Sequence, residues 1–245
     1  MASSIARSGS ENVLRVLWGA VTIRAAYDSV RERVAAACRR ASRDPAAVRI
    51  VAVSKTFPAA TVRELVACGH RLFGENRVQE ALGKIAEVGP GVTWHLVGHL
   101  QTNKVKDAVG RFELIHSVDS ERLARELDRR AAERGLCQAV LVQVNLSREA
   151  TKSGVAEDGL GPLLEAVAAL PHVDLHGLMS IPPPAGRAED SRPWLARLRE
   201  IRDRAAARLG LPLAELSMGM TDDFEVAVEE GATLVRVGRA IFGER

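Results

Sequence analysis

The sequence predicts a single α/β domain: a closed (β/α)₈ barrel of the TIM type, with an additional helix at its N-terminus. Three observations carry this prediction. The 245 residues suit one such barrel. Eight short apolar runs alternate with amphipathic stretches, at the spacing of βα units on a parallel sheet. The first run ends Ser54-Lys55-Thr56-Phe57-Pro58, without the glycine-rich turn by which an open doubly wound sheet holds a nucleotide.

Residues 1–23 fit no later periodicity and are expected to form a flexible extension, which leaves the barrel domain at 24–245. A helical pattern over 25–41 comes next, then the apolar run 49–53 as the first strand and the amphipathic stretch 59–67 as its helix. The same alternation places strands at 71–73, 93–97, 114–117, 139–145, 174–178, 214–217 and 234–237. Helices are expected at 78–87, 120–134, 161–169, 193–209 and 223–230, with a short one at 102–109. Gly159-Leu160-Gly161 follows no strand directly and reads as a loop before a helix. The Pro/Gly-rich residues 181–186 fall between two βα units and read as a long loop on the working face.

Composition excludes several function classes. With 47% hydrophobic and 27% charged residues the chain buries a sizeable core. Its formal charge is +3, and its basic residues mix with acids, as in ERLARELDRRAAERG at 121–135, which is a solvated helix face. Aromatics are 4%, so no basic patch interleaved with aromatics offers itself to nucleic acid. Cys38, Cys68 and Cys137 are odd in number and far apart, which suits reduced, mostly buried thiols in a cytosolic protein. No run reaches the length of a membrane span, and residues 13–23 lack the apolar region and cleavage site of a leader.

In such a barrel, chemistry collects at the C-terminal ends of the strands. The residues there are Lys55, Glu75 with Asn76, Gly98 with His99, Ser117, Asn145, Met179 with Ser180, Ser217, and Arg236 with Gly238. Lys55 is one of five lysines in an arginine-rich chain, at the end of an apolar strand. An ammonium stripped of hydration there favours the neutral amine, a nucleophile toward aldehydes. The alternative is a lysine that reaches out of the barrel mouth to a carboxylate such as Glu75. The loop Ser217-Met218-Gly219-Met220-Thr221-Asp222-Asp223, with Arg236 and Gly238 after it, occupies the place where barrels hold phosphate, or else Thr221 or Asp222 caps a helix. Arg236 suits a phosphate, a ring nitrogen or a structural ion pair. His95 and His99 are four apart, but on a strand and not a helix, so no metal site is expected; His70, His116, His172 and His176 read as packing or surface residues.

Six segments resemble one family, the pyridoxal phosphate homeostasis proteins, whose barrel is similar to the N-terminal domain of alanine racemase. They are VAVSKTFPA (51–59), FGENRVQEA (73–81), WHLVGHLQTNK (94–104), SREATKSGV (147–155), HGLMSIPP (176–183) and the last thirty residues from LSMGMTDDF to IFGER (216–245). The resemblance implies that the cofactor is pyridoxal 5′-phosphate and that Lys55 is its aldimine lysine. It implies that Asn76 lies beside the cofactor, that Ser217, Gly219, Gly238 and the backbone near Arg239 bind its phosphate, and that Arg236 lies close to the ring nitrogen or phosphate. This chain carries Arg239 where many members have a small hydroxyl residue, and Phe57 where some have a second lysine.

The rival function is an amino-acid racemase. Two-base proton exchange at an α-carbon needs a second base opposite the lysine, which alanine racemases take from a tyrosine of an additional C-terminal domain. Here the sequence stops at the eighth βα unit, and the one tyrosine, Tyr27, lies in the N-terminal helical segment. The resemblance therefore implies a cytosolic, monomeric binder without a dedicated catalytic activity. It would buffer the free cofactor and supply it to apo forms of pyridoxal phosphate enzymes.

Overall fold

A computed structural model describes residues 22–147, 149 and 153–244. The expected extension therefore lies outside the described residues, apart from its last two. Helix α1 (Ile23–Arg40) begins where Thr22 Oγ1 accepts the Ala25 N–H, and it buries Val30, Val34, Ala37 and Cys38, a stripe with the spacing of one helix face. After it come β1 (Arg49–Val53), α2 (Ala59–Ala67), β2 (Leu72–Glu75), α3 (Val78–Val88), β3 (Thr93–Leu96) and α4 (Val105–Ala108). The chain continues through β4 (Leu114–Val118), α5 (Glu121–Glu133), β5 (Gln138–Val144), α6 (Glu157–Ala168), β6 (Val173–Ser180) and α7 (Arg192–Leu209). It ends with β7 (Glu215–Ser217), α8 (Phe224–Glu229), β8 (Leu234–Val237) and α9 (Arg239–Phe242).

Every strand pairs in parallel with the next, and β8 returns to β1 through Ile50↔Val235 and Val51↔Arg236, so the eight strands close into a barrel. Period-two alternation divides the side chains between two cores. Outward positions such as Ala52, Phe73, Leu96 and Ile115 pack beneath the helices. Inward positions, among them Val51, Val53, Val97, Leu114, Leu141, Met179 and Leu234, form a small apolar plug. The plug is incomplete: His95, His116, Ser217 and Arg236 touch one another across the barrel from β3, β4, β7 and β8 and are all buried. Buried polar groups mostly have their hydrogen bonds met, and these four meet one another's.

The elements follow the expected boundaries closely, with two corrections. Helix α6 starts at Glu157, four residues before the expected 161, so Gly159 and Leu160 lie inside its first turn and not in a loop. Leu160, Leu163, Leu164 and Val167 share one buried face, and that stripe outweighs the local glycine and proline preferences. Of the three cysteines only Cys38 is buried; Cys137 is exposed. Among the described residues no helix is long and apolar enough to cross a membrane.

Candidate functional site

A cavity of 430 Å³ opens at the C-terminal ends of the strands, within the usual range for small-molecule sites. Lys55, Asn76, Arg236, Gly238 and Arg239 all face it, together with Phe57 from the loop after β1, Ile181 from the Pro/Gly-rich loop after β6, and Met220 and Thr221 from the loop after β7. A wider cleft of 780 Å³ lies at the opposite end, between α1 and the starts of β1 and β2. Position decides between them, because the strand ends of a barrel carry its chemistry and the other face its stability. Two expected site residues, Ser217 and Gly219, do not line the cavity; both are buried beneath it.

The segment that carries Lys55 is held from below by a buried ion pair. Lys84, on α3, donates from Nζ to the Ser54 carbonyl at 2.7 Å, to Glu75 Oε1 at 2.6 Å and to Glu80 Oε1 at 2.7 Å. Ser54 Oγ donates to the same Glu75 oxygen at 2.6 Å, and Glu80 accepts the Thr56 N–H. Thr56 itself sits at φ +70°, an uncommon conformation for a β-branched residue, which the Glu80 contact holds in place. Burial pushes the Glu75 carboxyl up from its ordinary value, while the Lys84 and Ser54 hydrogen bonds work against that shift. Lys84 was visible in the sequence only as one lysine in five. Its spacing of four from Glu80 on one helix face was the available signal.

Asn76 reaches the rim because β2 ends in a turn against which Gly98 packs: a Cβ on Gly98 would stand 2.3 Å from the Asn76 carbonyl oxygen. On the far side the loop after β7 turns at Gly219, at φ +86°, where a Cβ would meet that of Ala227 at 2.4 Å. Asp223, and neither Thr221 nor Asp222, stands at the cap position of α8; its Oδ1 turns back to accept the Met220 N–H at 2.7 Å and makes no bond into the helix. Asp222 pairs with the exposed guanidinium of Arg239, which also lies 3.5 Å from Glu244, and Thr221 Oγ1 lies 3.4 Å from the Ala240 N–H at the start of α9.

Arg236 forms the floor. Its Nη1 donates to Ser217 Oγ at 2.7 Å and its Nη2 to the Ser180 carbonyl at 3.0 Å. Burial pushes its pKa down to about 10, with Asp223 opposing, so the guanidinium is still charged at neutral pH. Behind it, His116 Nδ1 lies 2.8 Å from Ser217 Oγ, His116 Nε2 lies 3.0 Å from His95 Nδ1, and His95 Nε2 lies 3.4 Å from Glu113 Oε1. Of the two readings of His116, packing or surface, the interior one holds, and the buried imidazole belongs to a polar column under the site. The period of β3 and β4 gave the signal, since His95 and His116 alternate with the outward-facing Leu96 and Ile115.

The arrangement offers one amine and one buried cation to a single cavity, with glycine turns on the side of β7 and β8. It suits a small anionic molecule that also carries a carbonyl group. Comparison with known proteins identifies the family. The family model for the N-terminal domain of alanine racemase matches residues 26–245. The pyridoxal phosphate homeostasis protein of Aquifex aeolicus is 46% identical over 217 residues, 88% of this chain and 95% of that one. That of Escherichia coli is 41% identical over 226 residues, 88% of this chain and 94% of that one. Among solved structures, PipY of Synechococcus elongatus with PLP bound is 43% identical, with a TM-score of 0.78 over 87% of this chain and all of that one. An alanine racemase of Clostridium difficile, 14% identical with a TM-score of 0.68, covers 88% of this chain and 56% of that one, and shares the fold alone.

Proposed function

Because the chain belongs to the pyridoxal phosphate homeostasis proteins, on the barrel shared with the alanine racemase N-terminal domain, we propose that it binds pyridoxal 5′-phosphate through Lys55. In this reading it buffers or supplies the cofactor and has no dedicated catalytic activity. The convergence of Lys55, Asn76, Arg236 and Gly238 on one cavity carries the proposal. The residues present fit the group. A fully buried guanidinium uses two of its donors on Ser217 and Ser180 and has others for an acceptor such as the ring nitrogen or a phosphate oxygen. Gly238 lines the cavity without side-chain bulk, while Gly219 lets the loop after β7 pack closely against Ala227 and Phe224.

When bound, the cofactor supplies an aldehyde that condenses with amines and a ring that withdraws electrons. The protein's part is to hold it. The Lys84 clamp fixes the loop that presents the Lys55 amine; Asn76 would border the bound ring, and the turn after β7 with the start of α9 would hold the phosphate. Arg236 keeps its proton at neutral pH, so an acceptor it meets stays unprotonated, which is a weak arrangement for carbanion chemistry. Nor does the single tyrosine supply an opposing base: Tyr27 Oη bonds His70 Nδ1 at 3.1 Å on the other end of the barrel. We place the protein in the cytoplasm as a monomer, with apo forms of pyridoxal phosphate enzymes as its recipients.

Borohydride reduction of the loaded protein followed by peptide mass spectrometry tests the reading. One pyridoxyl group on Lys55 is expected, with none on Lys84, whose ammonium is buried against two carboxylates. Incubation of the same preparation with L-alanine is expected to yield no D-isomer. A label on Lys84, Lys104, Lys106 or Lys152, or racemisation near one turnover per second that disappears in Lys55→Ala, would overturn it.

A further inference from the structure

The polar column under the cavity has a direction. Four contacts run from Arg236 through Ser217, His116 and His95 to Glu113. The guanidinium at one end only donates and the carboxylate at the other only accepts. Between them stand one hydroxyl and two imidazoles, each neutral imidazole with a single N–H. Four contacts therefore share four protons, and one arrangement places a proton in each: Ser217 donates to His116 Nδ1, His116 donates from Nε2 to His95 Nδ1, and His95 donates from Nε2 to Glu113. The reverse arrangement turns a bare His95 nitrogen toward the Glu113 carboxylate.

We propose that His116, backed by His95, is a positioning residue that commits the Ser217 hydroxyl proton away from the cavity, so that Ser217 serves Arg236 as an acceptor and donates nothing to the phosphate. The phosphate is then met by backbone groups of the loop after β7 and of α9, while the Ser217 side chain acts only through Arg236. Charge on the imidazoles would break the count, and the surroundings oppose it. His116 is held neutral by burial, with His95, Arg236 and Arg49 adding to the effect; His95 is pushed down to about 3, by burial and then by Arg49. Among the described residues two carboxylates face the column from its two ends: Asp223 beside Arg236, and Glu113, largely exposed and 3.4 Å from His95.

The tautomers stand without the cofactor, so they are measured first on the full chain with none added. In long-range proton–nitrogen correlation spectra of ¹⁵N-histidine-labelled protein at pH 7, both His95 and His116 are expected to carry hydrogen on Nε2 alone. Hydrogen on Nδ1 of His116, or an imidazolium at either position, overturns the proposal whether or not pyridoxal phosphate binds. The consequence, which rests on the cofactor reading, is tested with His116→Asn and His116→Leu. The asparagine oxygen is able to accept from Ser217 where Nδ1 did, and binding of pyridoxal phosphate and the absorption band of the loaded protein are expected to stay near those of the parent. Leucine leaves the hydroxyl proton free to turn, so that Arg236 keeps only the Ser180 carbonyl as a fixed acceptor, and about a tenfold weaker affinity with a shifted band is expected. A folded leucine variant with parental affinity and spectrum removes the positioning role. If leucine prevents folding, the tautomer spectra still decide.

Discussion

Lys84 shows how one side chain sets another. Its ammonium is buried against Glu75 and Glu80 and bonds the carbonyl of the residue before Lys55. Breaking a buried pair by removing one partner strands the other, at a cost of about 3–5 kcal/mol. Lys84→Met should therefore lower the unfolding free energy by about 3 kcal/mol in urea titrations and weaken cofactor binding, because the Glu75 carboxylate keeps only Ser54. A loss under 1 kcal/mol would mean that the pair is solvated and the clamp unimportant. The place of Lys55 at the cavity was legible in the sequence, since an isolated lysine after an apolar strand is conspicuous, but spacing alone left a nucleophile and a lysine paired with a carboxylate both open. Lys84 and His116 were not, because their roles come from partners 30 and 101 residues away that only the closed barrel brings together.

At the scale of elements, the period of the apolar pattern placed each strand and its following helix, because each strand must bury residues on both faces and each helix only on one. Helix α6 shows where this reasoning falls short: Gly159-Leu160-Gly161 reads as a loop before a helix, yet the helix starts at Glu157, held by four buried residues at helical spacing. Pro162, the sixth residue of the helix, leaves the fourth preceding carbonyl without its usual donor and crowds it. Pro162→Ala should restore the bond and raise stability by about 1 kcal/mol, below the roughly 3 kcal/mol of a fully interior proline because the site is near the helix start. Unchanged or lower stability would show that the fixed φ of proline offsets the missing bond. Gly161 allows no parallel improvement, since a Cβ there would lie 2.8 Å from the Arg208 guanidinium.

For the whole molecule, three imidazoles folded away neutral set the acid limit of stability. His70 is pushed down to about 4 by burial and His95 to about 3, while His116 is held well below its ordinary value of 6.5. The folded-state values are the depressed ones, so the sign follows directly. Above pH 6.5 both folded and unfolded chains are neutral at these positions and nothing is lost. As pH falls through 6.5 the unfolded chain takes up protons that the folded chain refuses, and each site costs about 1.4 kcal/mol per pH unit until its folded value is reached. With all three engaged, the slope near pH 5 approaches 4 kcal/mol per unit, against a total stability of about 5–15 kcal/mol for a domain. Urea denaturation at pH 7, 6 and 5 should therefore show a loss of about 2 kcal/mol over the first step and a steeper one, approaching 4 kcal/mol, over the second. His70→Gln should flatten the slope by about one proton's worth, because His70 pairs with Tyr27 and the Leu72 carbonyl at the base of the barrel, apart from the His95–His116 column. A stability that stays level from pH 7 to pH 5 would show that the interior histidines admit protons, and with them the charge that the column under Arg236 is built to exclude.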